Sequence, residues 1–324
     1  MLLTVLVCLL VPIAAASTDG AKIACQKFES AMSSSTVLPS NSEYIALSTE
    51  NWSATAWGRP ICIVKPSSAA DVQNVVSYLS QHKVEFAIRA GGHLPSPRGA
   101  NTNEGVLIDL SSLDVKEYDA TMQTVKVGAG LRWGDIYRYL DQFQVTVVGG
   151  RVLPVGVGGL LLGGGLSYLS DLYGMACDNV VNFEVIIANG SIVNANSSYN
   201  ADLYRALKGG ANNFGVVASF TLRTYPIYNV WGGIRLYTHE QVPALYRALA
   251  EYQAQPEKDL YANLMLQPFA TNQSLGAILN MVYLKPEPPA AFKPFDGIPT
   301  VGETTKFQTL GEMISGQLVP ELPR

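Results

Sequence analysis

The stretch Val155-Gly156-Val157-Gly158-Gly159-Leu160-Leu161-Leu162-Gly163-Gly164-Gly165-Leu166 constrains this chain more than any other. Six glycines fall within residues 156–165, yet Val and Leu are interleaved with them. A flexible linker would carry Gly and Ser with few large apolar residues. The run is therefore either a close-packed buried turn or a place where backbone comes very near a large flat ligand. It is not a dinucleotide fingerprint of the G-x-G-x-x-G kind: Gly156 and Gly158 fit, but Leu161 stands where the third glycine belongs, and counting from Gly163 puts Tyr168 there. NAD bound in the usual way is excluded on that ground.

A second glycine segment, Arg89-Ala90-Gly91-Gly92-His93, closes the short strand at 86–89. Successive glycines can turn their N–H groups toward one point and make a nest for an anion such as a pyrophosphate. Alternatively it is a plain turn beside a core or surface histidine. His93 is the one histidine of three in a setting that invites chemistry, since His82 ends an exposed helix and His239 sits in a turn. Three histidines and four cysteines offer no metal-ligand spacing, and no G-x-S-x-G elbow occurs.

Around these segments the pattern is α+β. Strand 61–64, a helix capped by Ser68 with Asp71 three residues on, and strand 86–89 make a β-α-β unit; Val72, Val75, Val76 and Leu79 mark the helix's apolar face. Strands follow at 106–110 and 125–127, then an amphipathic helix over 133–143. Asn189-Gly190 predicts a hairpin with a type I′ turn between strands 183–188 and 192–195. Residues 201–208 read as a helix and 216–224 as a strand ended by Pro226. Beyond it lie a strand at 231–237, a helix through Val242, Leu245, Tyr246 and Leu249, and strands at 260–269 and 275–284. Proline-rich residues from 286 onward are expected to pack loosely.

The first sixteen residues read as a signal peptide: Leu2 to Ala16 is apolar apart from Thr4, too short for the ~20 residues a spanning helix needs, and Ala14-Ala15-Ala16 offers a cleavage site. Residues 17–56, rich in Ser, Thr and Asn, read as a segment wrapping the surface. A secreted protein with no membrane span is expected, and four Asn-X-Ser glycosylation sequences, at Asn51, Asn189, Asn196 and Asn272, suit that compartment. Loss of the leader removes Cys8 and leaves Cys25, Cys62 and Cys177, one pair and one thiol that spacing alone does not assign. The formal charge is −4, and no basic block with interleaved aromatics is present, so nucleic acid is not a partner. A monomer acting on a small molecule is expected.

Together the glycine segments resemble those of FAD-linked oxidases with a PCMH-type FAD-binding domain, the vanillyl-alcohol-oxidase superfamily, and within it the berberine-bridge-enzyme-like branch. Arg89–His93 resembles that family's pyrophosphate loop, and Gly156–Leu166 its glycine run. Tyr173-Gly174-Met175-Ala176-Cys177-Asp178-Asn179-Val180 and Lys208-Gly209-Gly210-Ala211-Asn212-Asn213-Phe214-Gly215 resemble two further motifs in the family's order. The resemblance implies a two-subdomain FAD-binding fold over 57–228, followed by an incomplete antiparallel-sheet substrate domain over 229–324. It implies cofactor contacts from Arg89, Ala90, Gly91, Gly92, His93, Val155, Gly156, Gly158, Gly159, Gly163, Gly164 and Val193, and a covalent link from His93 to FAD. Val152 stands where many relatives carry a second, cysteinyl link, so that link is excluded. The resemblance also implies a Cys25–Cys62 disulfide and places Val155 at a gate that admits O₂. The reaction implied is hydride transfer from an alcohol, sugar or secondary-metabolite intermediate to flavin N5, with reoxidation by O₂ giving H₂O₂. No catalytic base is named. With the second unit short, one sheet face is expected to leave Leu264, Leu266, Leu279 and Met281 partly wet and FAD binding poor. A flavin-binding fragment of little activity is the alternative reading.

Overall fold

The computed structural model describes residues 18–317; the predicted leader lies outside them. Three sheets make up the frame. In the first, Thr36–Val37, Cys62–Val64, Val106–Asp109 and Phe86–Arg89 lie side by side in that order, the first pair antiparallel and the others parallel. Parallel neighbours need a crossover, and helix Ala69–Gln81 supplies it, burying Val72, Val75, Val76 and Leu79 as the periodicity requires. Ser68 caps this helix by accepting from Asp71 N–H at 3.1 Å.

The second sheet is antiparallel throughout: Lys116–Asp119, Thr124–Gly128, Val216–Tyr225, Val180–Ile186 and Ile192–Asn196, with Thr146–Val147 on the far end of Val216–Tyr225. Val216–Tyr225 is central, which explains why its first five residues are all buried. The Asn189-Gly190 hairpin forms, but only Gly190 takes a positive φ, of +85°. Ile187 N–H pairs with Ser191 O and Gly190 N–H with Ile187 O, a three-residue loop ending in a left-handed glycine instead of the predicted type I′ turn. A Cβ on Gly190 would meet Ser77 Oγ of the crossover helix at 1.9 Å, so packing against that helix as well as the turn requires glycine.

The third sheet is also antiparallel: Ala262–Ala270, Leu275–Tyr283 and Asn229–Thr238, with Gly302–Glu303 and Lys306–Thr309 both on Asn229–Thr238. Helix Val242–Ala254 and the turn Ala290–Phe295 cover one face, where Leu245, Phe292 and Phe295 pack on Leu279 and Met281. Leu279 and Met281 are fully buried, which corrects the expectation for them, while Leu264 and Leu266 are half-buried and so partly wet as expected. The proline-rich stretch is what closes the face over Leu279 and Met281, and helix Leu310–Ser315 buries Leu310, Met313 and Ile314 in the main core. Its predicted looseness is corrected: a 3₁₀ turn, two short strands and a one-and-a-half-turn helix carry too few residues to show a period.

The predicted surface segment is likewise structured. Helix Thr18–Ala31 buries Ala21, Ala24, Cys25 and Phe28, an i, i+3, i+4, i+7 stripe of mostly small residues. Cys25 and Cys62 are disulfide-bonded, tying this helix to the first sheet, and Cys177 is a buried thiol. No described helix is long and apolar enough to cross a membrane.

Candidate functional site

The two glycine segments meet. A Cβ built on Gly91 would lie 2.4 Å from Gly156 Cα, and one on Gly156 2.5 Å from Gly91 Cα. Gly156 has φ −72° and ψ 146°, a conformation any residue accepts, so proximity and not backbone freedom demands glycine here. Gly92, by contrast, has φ +66°. Residues 153–157 are laced onto 131–134: Trp133 N–H donates to Val155 O (3.1 Å), Gly134 N–H to Leu153 O (3.0 Å) and Val157 N–H to Leu131 O (2.9 Å).

Arg132 joins the two loops directly. Its Nη1 donates to Gly91 O at 3.0 Å and to Pro154 O at 2.5 Å, while Nη2 pairs with Glu50 at 3.3 Å. The N–H of a trans peptide points opposite to the preceding carbonyl. Arg132's hold on Gly91 O therefore turns Gly92 N–H away from the guanidinium. Gly92 O in turn accepts from Trp52 N–H at 2.9 Å. Both carbonyls of the Gly91-Gly92 turn are thus held by donors from outside the loop.

A cleft of about 440 Å³ opens beside this junction. Ala90, Gly91, Gly92, His93, Val155, Gly156, Gly158, Gly159 and Gly163 stand in its wall, brought together from 60 residues apart in sequence as the motifs predict. Leu94, Leu160, Val217 and Phe220 make the rest largely apolar, and His93 is the one ionisable side chain in the lining. An adjoining pocket of about 380 Å³, lined also by Arg98, shares Ile88, Gly99, Asn212, Gly215 and Val216 with the first. Its size falls in the ~300–1,000 Å³ range of small-molecule and cofactor sites.

Three predicted residues lie outside this wall. Arg89 is 1% exposed; its guanidinium pairs with buried Asp109 and with Glu50 (3.4 Å) and donates to Leu47 O (2.6 Å) and Asn51 Oδ1 (3.2 Å). It braces the loop from behind, because a charge at this buried strand end must face its partners. Gly164 turns toward Met175, whose Cε lies 2.9 Å from where its Cβ would be. Val193 pairs with Val185 on the outermost strand of the second sheet and packs on the main core. Ala211, Asn212 and Gly215, from the Lys208–Gly215 motif, also line the cleft, whereas Val216, Val217, Leu94, Ala100, Leu110 and Ala129 line it without having been singled out. Glu50, Trp52 and Arg132 carried no local signal at all.

The residues fit a flavin dinucleotide: a glycine cradle that any Cβ would fill, an anion nest, and a largely apolar cleft. Residues 60–196 match the FAD binding domain family. The chain is 37% identical over 310 residues to the bifunctional solanapyrone synthase of Alternaria solani, covering 95% of this chain and 60% of that protein. It is 38% identical over 297 residues to a FAD-dependent monooxygenase of Arthrobotrys oligospora (91% and 57%). The BBE-like 1 protein of Physcomitrella patens superposes with a TM-score of 0.75 at 26% identity over 90% of this chain and 62% of that one.

The chain carries a FAD binding domain of the kind found in FAD-linked oxidoreductases.

Its fold is that of the berberine-bridge-enzyme-like, PCMH-type members, as the motifs imply. It spans between 40% and 60% of the length of the curated relatives it matches. Val152, at the position of the second flavin link in many relatives, is partly buried outside the groove wall. Among the described residues no cluster of His, Cys, Asp or Glu could hold a metal. Of the four glycosylation sequences, Asn51 is corrected: it is 0% exposed, with Oδ1 accepting from Arg89 and Asn101 and Nδ2 donating to Ala100 O. A glycan has no room there, and the tertiary hydrogen bonds that fill the site leave no local trace.

Proposed function

We propose that this chain holds FAD in the glycine-walled groove, links it covalently through His93, and serves a secreted oxidase acting on an alcohol, sugar or secondary-metabolite intermediate. One observation carries the reading: His93, the one ionisable side chain lining the cleft of about 440 Å³, shares a largely apolar wall with two glycine loops in backbone contact. The peptide N–H groups at Gly91 and Gly92 would hold the pyrophosphate, and the backbone of 155–159 would lie against the ring system. When bound, the flavin takes a hydride from a substrate C–H at N5 and returns the electrons to O₂ as H₂O₂.

The protein's own part is to orient and to exclude water. Leu94, Leu160, Val217 and Phe220 dry the groove, and Val155 in its wall leaves O₂ a way in. Arg89, Asp109, Glu50 and Arg132 keep the loops in place. Secretion is supported by the Cys25–Cys62 disulfide, which persists in an oxidising compartment, and a metabolite-forming role by the name of one relative, a solanapyrone synthase. The test is acid precipitation of the purified chain: yellow colour should stay in the pellet, and the flavin should map to the His93 peptide. Colour retained after denaturation of His93→Ala would overturn the linkage; a colourless wild-type chain would overturn FAD binding itself.

A further inference from the structure

Two arginines brace the glycine cradle, and neither has charge to spare. Arg89 pairs with Asp109 and Glu50, and Arg132 pairs with the same Glu50. Two guanidinium charges thus meet two carboxylate charges, and the bracing cluster is neutral. The cleft lining adds no other ionisable side chain than His93. A pyrophosphate brings two negative charges into this site, and backbone N–H groups alone meet them with partial charges.

A cation stands next door. The adjoining pocket shares Ile88, Gly99, Asn212, Gly215 and Val216 with the cleft, and Arg98 is the one ionisable residue in its lining. Arg98 is exposed, and among the described residues no carboxylate pairs with it. Its backbone is strained for a residue of its kind. Gly99 N–H donates to Ser96 O at 3.1 Å, which closes a turn over Ser96-Pro97-Arg98-Gly99. Pro97 stands at the second position of this turn, and Arg98 at the third with φ +60°. That is the type II arrangement, whose third position calls for glycine or asparagine. An arginine is disfavoured there, because its Cβ crowds the following carbonyl. The turn is anchored on both sides: Pro95 O accepts from Thr55 Oγ1, and a Cβ on Gly99 would lie 2.3 Å from Leu94 Cδ2. The fold thus holds an arginine where the turn alone would select glycine, at the boundary of the two cavities.

We propose that Arg98 is a binding residue for the phosphate chain of FAD: its guanidinium supplies, from the adjoining pocket, the cationic charge that the cradle lacks. The proposal rests on the reading of the cleft as the FAD site. A guanidinium is permanently charged, forks onto phosphate oxygens and sits on a stem long enough to follow the ligand. The adenosine half then occupies the adjoining pocket, and Arg98 favours ligands that carry a pyrophosphate. Riboflavin has no phosphate, while ADP has the pyrophosphate without the flavin, so the two probes separate this contact from the rest of the site.

The test uses the chain made in a riboflavin-starved host, with Arg98→Gly, Arg98→Gln and Arg98→Lys beside the wild type. ADP binding is read by calorimetry, and FAD and riboflavin binding by quenching of flavin fluorescence, each at low and at high salt. Loss of a charge-assisted contact should weaken ADP and FAD about 10-fold in Arg98→Gly and Arg98→Gln and leave riboflavin unchanged. Arg98→Lys, a point charge without the fork, should recover part of the affinity. Salt should weaken ADP binding to the wild type more than to the two uncharged variants. Arg98→Gly relaxes the turn, so its melting temperature should hold or rise while its affinity falls, which separates charge from folding. Wild-type ADP and FAD affinities with unchanged salt dependence in Arg98→Gly and Arg98→Gln would overturn the role of Arg98. So would an equal loss for riboflavin, which marks a change in the shape of the cleft. A wild-type chain that binds neither FAD nor ADP overturns the FAD reading itself, and is seen without any variant.

Discussion

Replacing Gly156 by alanine tests whether the contact between the two glycine loops is what builds the site. The new methyl would stand 2.5 Å from both Gly91 Cα and Gly91 N, backbone atoms that no rotamer change can move aside. Ordinary contact begins near 3.4 Å, so the loops must part by about 1 Å, and overpacking of this kind costs about 1–3 kcal/mol. Arg132 spans both loops and resists the separation, donating to Gly91 O at 3.0 Å and Pro154 O at 2.5 Å. If that cost falls on the cradle, flavin affinity drops by about 5- to 150-fold, and the melting temperature falls by a few degrees. Gly159→Ala is the control. Nothing lies within 4 Å of its Cβ position, and the residue stands in the groove wall. It should leave the melting temperature unchanged and lower flavin affinity alone. Flavin titration and thermal unfolding of both variants decide the matter. Wild-type flavin affinity and stability in Gly156→Ala would show that the loops part freely, and the argument from close approach would fail.

Three further outcomes follow from the fold. Converting Cys25 and Cys62 to serine removes a bridge across 37 residues and should lower unfolding free energy by about 3–4 kcal/mol in the chain-entropy account, measurable by denaturant titration. Burial, and secondarily the Glu312 carboxylate, raises the Asp141 pKa above the ordinary carboxylate value. The folded state thus binds this proton more tightly than the unfolded chain, a contribution present at low pH and lost as pH rises through the raised value. Asp141→Asn should accordingly raise the melting temperature at pH 7 and leave it unchanged at pH 3. In a chain passed through a secretory host, peptide mapping should find glycan at Asn272, exposed in the turn between Ala262–Ala270 and Leu275–Tyr283, and none at Asn51.

What was legible in the sequence is what glycine and period write locally. The crossover helix declares itself through Val72, Val75, Val76 and Leu79, and the two loops through residues 89–93 and 155–166, because close backbone approach leaves no alternative residue. Side chains that act across long separations leave no such trace. Arg132 reaches Gly91 over 41 residues and Glu50 over 82. Nothing in Leu131-Arg132-Trp133 distinguishes that arginine from a solvated one at a helix start. Asn51 shows the converse, a local pattern for a surface role overridden by burial. The third sheet's cover was missed because its parts, Ala290–Phe295 and Leu310–Ser315, are only six residues each.

Arg89 belongs to the loop through its backbone, and its guanidinium lies buried among Asp109, Glu50, Leu47 O and Asn51 Oδ1. Removing one partner of such a pair leaves a buried charge uncompensated and costs about 3–5 kcal/mol. That makes the residue indispensable without giving it any contact with the groove. Glu50 links this pair to Arg132, and Arg132 holds both loops, so one carboxylate stands between the framework and the cradle. A cradle held by these contacts has less ordering entropy left to lose when a ligand enters it: Arg132, on Gly91 O, aims the Gly92 N–H, and Trp52, on Gly92 O, aims that of His93.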